Sequence, residues 1–206
     1  AFCGNRNKAQ AKDNAANDAC LIHLYFGSMN GKAQNSEDRS RRDFDLHLNH
    51  MLALDLNKTF YFTILRDMAI ALATMHWAAW TDARGVKFVL GGPRRSPPAM
   101  QSPRMAPTDP HQVSVWMFNF QKTQSISLSK EGVVKAVEAF MESGPDYPRP
   151  FQDEGIARYA WAVFEEAYLS TSRAILSSHN TYVRTFPSLF IQWVKVSEGD
   201  DRGQLR

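Results

Sequence analysis

Asp43, Asp45, His47 and His50 crowd into one short stretch, among the few places where this sequence gathers side chains able to do chemistry. On a helix His47 and His50 share a face, and Asp43 lies one turn before His47. Imidazole and carboxylate groups so placed are ligands that a divalent cation accepts. Asp43, His47 and His50 are therefore the basis for one function, a metal-dependent hydrolase. The same residues also suit an ordinary surface, because a metal site needs three or four convergent ligands. Asp82 lies between Trp80 and Val86, where a carboxylate can act on a hydroxyl or simply close a turn. His76 follows Met75 on an apolar stretch with no nucleophile near it in sequence. It reads as a partly buried histidine bonded to a backbone group rather than a catalytic base. No Gly-x-Ser-x-Gly, glycine-rich phosphate loop or His-Glu-x-x-His occurs in the chain.

The elements that must position these groups are legible from apolar spacing. Residues 20–26 (Cys-Leu-Ile-His-Leu-Tyr-Phe) form a dense run of branched and aromatic side chains closed by Gly27, which predicts a buried strand. Phe44, Leu48, Met51 and Leu52 recur at helical spacing and predict a helix over 44–54. A longer helix follows over 55–77, with Tyr61, Ile64, Leu65, Met68, Leu72, Met75 and His76 on one face. Residues 86–90 and 113–120 read as strands. The segment 91–112 between them is rich in proline and predicts a mobile loop. Ser127 or Ser129 can cap a helix that runs to about 143, where Gly144-Pro145 stops it. Another helix is expected over 152–176, and a last helix or docked segment over 187–196.

The chain has 206 residues, of which 44% are hydrophobic and 12% aromatic. That suffices for one domain with a core and excludes a disordered polymer. The net charge of +3 is small, and the basic runs at 39–42 and 94–95 are short, so nucleic acid is not an expected partner. The five tryptophans fall along core-facing stretches and read as packing rather than as a base-stacking platform. No apolar run is long enough to cross a membrane. Cys3 and Cys20 are the only cysteines, too few for a zinc site of their own or for a disulfide framework. An intracellular setting, cytoplasmic or nuclear, is the expectation. The domain plan is a polar N-terminal tail over 1–18, a single globular domain over 19–197 with its loop at 91–112, and a charged tail over 198–206.

Several motifs carry a family resemblance. They are residues 20–27, Asp-Phe-Asp-Leu-His-Leu-Asn-His-Met (43–51), 68–77, Thr-Asp-Ala-Arg-Gly-Val-Lys-Phe-Val-Leu (81–90), Val-Trp-Met-Phe-Asn-Phe (115–120) and Gly-Pro-Asp-Tyr-Pro-Arg-Pro (144–150). Their order resembles a fungal family of uncharacterised proteins with a domain of unknown function, some of them described as zinc-finger proteins. The resemblance covers roughly residues 19–195. It implies no activity, and no paired Cys and His ligand set supports the zinc-finger description.

The order of elements is also similar to the C-terminal lobe of kinase-like phosphotransferases. That similarity implies a mainly helical α+β fold, with about five or six helices around a small two- or three-stranded antiparallel sheet. It places Asp82 as the nucleophile-orienting carboxylate. A metal-holding asparagine should stand five residues later, where this chain has Lys87. The metal-bridging aspartate of the next turn is replaced by Asn119. Lys87 and Asn119 are thus degenerate cofactor positions, and no segment before Cys20 resembles a phosphate-cradling lobe. The implied function is a non-catalytic protein-binding or scaffold domain with a protein partner, no cofactor and no metal. The alternative is a divergent small-molecule phosphotransferase that uses Asp82 with ATP and magnesium.

Overall fold

The computed structural model describes residues 21–29, 43–53, 58–91, 114–153 and 155–204. Strand β1 (Leu21–Tyr25) forms from the expected apolar run. The stretch expected as a helix over 44–54 divides instead into strand β2 (Asp43–His47) and a short helix α1 (Leu48–Ala53). The physical reason lies in its two periods. Phe44, Leu46 and Leu48 alternate as a strand requires, and Leu46 and Leu48 are both buried. The competition is settled by parallel pairing with β1, which sets Leu21 against Asp43 and Tyr25 against His47. Strands β3 (Lys87–Gly91) and β4 (Ser114–Phe118) form an antiparallel pair, and β3 also pairs antiparallel with β1. The sheet is therefore four-stranded and mixed, in the order β2-β1-β3-β4, and not the smaller antiparallel sheet expected. The fold class stands: α+β and mainly helical.

Helix α2 (Lys58–Trp77) buries the face that its spacing predicts. Ala69 and Ala73, fully buried, let helix α4 (Gly155–Ile175) pack closely along it. Helix α3 (Lys130–Glu142) begins at Ser129, whose hydroxyl accepts the Gly132 amide at 3.3 Å. Gly132 is required there, because a β-carbon would collide with the Ser127 carbonyl. Helix α5 (Phe186–Gln204) runs on through most of the segment expected as a charged tail. The expected N-terminal tail and most of the proline-rich loop lie outside the described residues.

The core gathers around Phe140, which touches Tyr147, Trp161, Phe164 and Phe190. Tyr147 in turn meets Phe88 of β3 edge-on, which ties the sheet to the helices. The turn after α3 completes that joint. The Gly27 amide donates to the Pro145 carbonyl at 2.8 Å, so the end of β1 lies directly on this turn. A β-carbon at Gly27 would strike the Tyr147 carbonyl. Gly27→Ala is therefore expected to cost about 2 kcal/mol or more of stability, read as a clear fall in urea midpoint, while Gly155→Ala, which has open space, leaves the midpoint unchanged or raises it.

Candidate functional site

Asp82 lies midway along the loop between α2 and β3, and that loop is built to face the segment after β4. Thr81 forms an isolated bridge with Ser125. The Asp82 amide donates to the Gln124 carbonyl at 2.9 Å, and the Ile126 amide donates to the Trp80 carbonyl at 2.9 Å. The Asp82 carboxylate is enclosed, with 0% of its side chain exposed. Its Oδ1 accepts the Gln124 amide at 2.8 Å and the Arg84 amide at 3.0 Å. Its Oδ2 accepts Arg84 Nε at 3.2 Å. Arg84 also pairs with Glu142 at the end of α3, and that bond, more than any other, raises the guanidinium's pKa. Asp82 thus joins two loops and, through Arg84, the end of a helix.

Asn119 follows β4 with its backbone in the left-handed region, φ 67°. Its amide nitrogen donates to the Gly85 carbonyl at 2.7 Å, inside the Asp82 loop. Lys87 is the first residue of β3 and stands opposite Phe118 in register. Lys87 and Asn119 therefore stand at one end of β3 and β4, and Asp82 lies in the loop that leads into β3. Lys87 is engaged by Asp146, whose Oδ2 lies 2.7 Å from Nζ, and it sits 5.9 Å from the centre of the Tyr25 ring. Burial raises the Asp146 pKa, and the Lys87 ammonium opposes that rise. Asp146 escaped the sequence reading. Its signal was an acid in the turn Gly-Pro-Asp-Tyr-Pro, just ahead of a buried tyrosine.

His76 is fully buried rather than partly so, and its bond is not to backbone alone. Its Nδ1 lies 2.9 Å from the Tyr168 hydroxyl. Burial pulls its pKa down to about 3, against the opposing pull of Asp82. An unfolded histidine binds a proton near pH 6.5, so the unfolded state takes up this proton before the folded state does. Stability is therefore expected to fall as pH drops from about 6.5 toward 3, by at most about 1.4 kcal/mol per unit from this group. Asp146, with its raised pKa, works in the opposite sense over the acid range. The difference between the wild type and His76→Gln isolates the histidine. Urea midpoints measured between pH 7.5 and 4.5 should fall less steeply in the variant, and parallel slopes would refute the assignment.

His47 and His50 meet edge-on with ring centres 5.6 Å apart. The His47 amide donates to His50 Nδ1 at 3.3 Å, which closes the junction between β2 and α1. Burial, then His50, lower the His47 pKa. The two histidines do not share the helix face that the spacing predicts, since His47 ends a strand. Asp43 opens that same strand. Among the described residues no group of three or more His, Cys, Asp or Glu is placed to hold a metal ion. None of their helices is long and apolar enough to cross a membrane.

A family model for a domain of unknown function, described as zinc finger protein, matches residues 115–180. The matched segment runs from β4 through α4 and includes Asn119, Asp146 and Arg149. It contains no cysteine and a single histidine, His179, so its residues do not fit a zinc-finger ligand set. No curated protein and no solved structure matches the chain.

Proposed function

We propose that this chain is a non-catalytic protein-binding or scaffold domain and a degenerate relative of the kinase-like phosphotransferases. One observation carries the reading: each group that phosphoryl transfer would call on is engaged within the fold. A base must come within about 3 Å of the proton that it takes, in reach of substrate. Asp82 instead accepts three internal donors with no exposed surface. Lys87 is held by Asp146, and the Asn119 amide is held by Gly85. Kinship is supported by the order of elements, with Asp82 in the loop before β3 and Asn119 in the turn after β4, where a kinase-like lobe would carry its catalytic and metal-binding turns. Fungal origin and an intracellular setting belong to the same reading.

Thermal unfolding with ATP and magnesium tests it. A ligand present at 100 times its Kd adds about 2.7 kcal/mol of stability. For a domain of this size that raises Tm by several degrees. We expect no shift with about 5 mM nucleotide and magnesium. A concentration-dependent rise would overturn the non-catalytic reading in favour of a divergent phosphotransferase.

A further inference from the structure

Among the described residues β2 and β4 form the two edges of the sheet, and the edges are not alike. β4 reads Ser-Val-Trp-Met-Phe, with no charge, proline or glycine. Register sets Trp116 against Val89 and Met117 against Phe88, on opposite faces of the sheet. On β3 both positions are buried, Val89 at 7% and Phe88 at 1% exposed. One strand outward, Trp116 is 45% and Met117 39% exposed. Exposure on both faces at once marks an edge that meets water. The strand is nonetheless firmly seated. The Trp116 ring lies on Gly91 of β3, where a β-carbon would stand 2.7 Å from it.

An edge strand presents backbone N–H and C=O groups along its outer side, and an apolar edge is a template for one more strand. Natural edges are blunted by charge, proline or a bulge. β2 has such a device in Asp45, exposed at its centre. Antiparallel pairing of β2 with a copy of itself would set Asp45 opposite Asp45, which like charge disfavours. The same operation on β4 meets no such penalty. A two-fold axis at Trp116 sets Trp116 against Trp116, Val115 of one copy against Met117 of the other, and Ser114 against Phe118. Aromatic and branched side chains directly opposite one another are favourable pairs. We propose that β4 pairs antiparallel with β4 of a second copy, which joins two four-stranded sheets into one. A strand without charge offers an acidic or a basic peptide nothing to select it by, whereas its own copy matches it in length, polarity and pairing along its whole run. The contact is isologous and closes on itself, so it stops at a dimer. Five residues a side make a small interface, so association is weak and depends on concentration. The proposal rests on the protein-binding reading and names one partner for it.

Sedimentation velocity of the full chain over about 5 to 500 µM reads the association directly. The sedimentation coefficient is expected to rise with concentration toward that of a dimer and to go no further. Trp116→Lys and Trp116→Glu should each stay monomeric, because either sets like charges at the axis, and an equimolar mixture of the two should associate again. Met117→Lys is a second edge variant, at a side chain that already meets water, and should weaken association about tenfold. It carries the test alone if the Trp116 variants lose Tm. Asp45→Ala on β2 and Tyr182→Lys, on the turn between α4 and α5, should associate as the wild type does. The proposal falls if the wild type stays monomeric throughout or grows past a dimer. It falls equally if folded edge variants associate as the wild type does, or if the mixture of folded Lys and Glu variants stays monomeric. The parent reading fails separately, through an ATP-dependent rise in Tm, which leaves the sedimentation result as it was.

Discussion

Arg149→Ala is expected to cost the fold about 3–5 kcal/mol, a loss that urea denaturation will register as a large fall in midpoint. Arg149 is only 6% exposed, yet it carries a charge. Burial lowers its pKa, and Glu198 at 3.2 Å works against that shift. Its guanidinium does the work of a C-cap for α3. Nε donates to the Gly144 carbonyl at 2.9 Å, and one terminal nitrogen donates to the Phe140 carbonyl at 2.9 Å and to Gly144 as well. The last carbonyls of a helix have no partner within it, so a side chain that meets them stabilises the end. The same guanidinium stands 4.6 Å from the centre of the Phe140 ring, at the middle of the aromatic core. Truncation would leave the buried Phe140 carbonyl, and the partly buried Gly144 carbonyl and Glu198 carboxylate, without their donor. Arg149→Lys separates fork from charge: it keeps the cation but cannot reach several acceptors at once, so about half of the loss should remain. If Arg149→Ala unfolds within about 1 kcal/mol of the wild type, the guanidinium is a passenger and the joint between α3 and α5 is held by apolar contact alone.

Arg149 also marks where sequence reasoning stops. Its motif, Tyr-Pro-Arg-Pro, stands out by composition, but nothing local says that the arginine turns back onto α3 or meets Glu198. The charged end of the chain read as a tail because its own apolar spacing is thin. A partner distant in sequence helps make it the last turns of α5. Helices α2 and α3 were legible for the opposite reason: their apolar stripes recur every turn, and Ser129 supplies a cap that needs only its own neighbours. β2 was not legible, since residues 44–48 satisfy both periods and only non-local pairing with β1 chooses between them. The site divides in the same way. That Asp82 would stand in the loop before β3 and Asn119 in the turn after β4 followed from the order of elements. What these two and Lys87 hold did not, because the acceptors and donors are backbone groups of Gly85 and Gln124 and a carboxylate far along the chain.

Asp82→Ala should be the second severe lesion, at about 3 kcal/mol or more, and it bears directly on function. The change strips the acceptor from two backbone amides and from Arg84 Nε in a place that water does not reach. Asp82→Asn keeps one carbonyl oxygen but turns an amide donor toward a donor, so it should lose less, about 1–2 kcal/mol. Pairing Asp82→Ala with Arg84→Ala in a double-mutant cycle should give a coupling of about 1–3 kcal/mol, since each removes the other's partner. Amide hydrogen exchange adds a local readout, with protection of the Gln124 amide falling in Asp82→Asn before the global unfolding limit is reached. A catalytic carboxylate predicts another pattern: full stability in Asp82→Asn and a loss confined to turnover. The enclosure of Asp82 makes those outcomes exclusive, because a carboxylate whose oxygens are occupied by Gln124 and Arg84 must abandon them to accept a substrate proton. Unchanged stability in both variants would return Asp82 to chemistry and remove the ground for a silent domain.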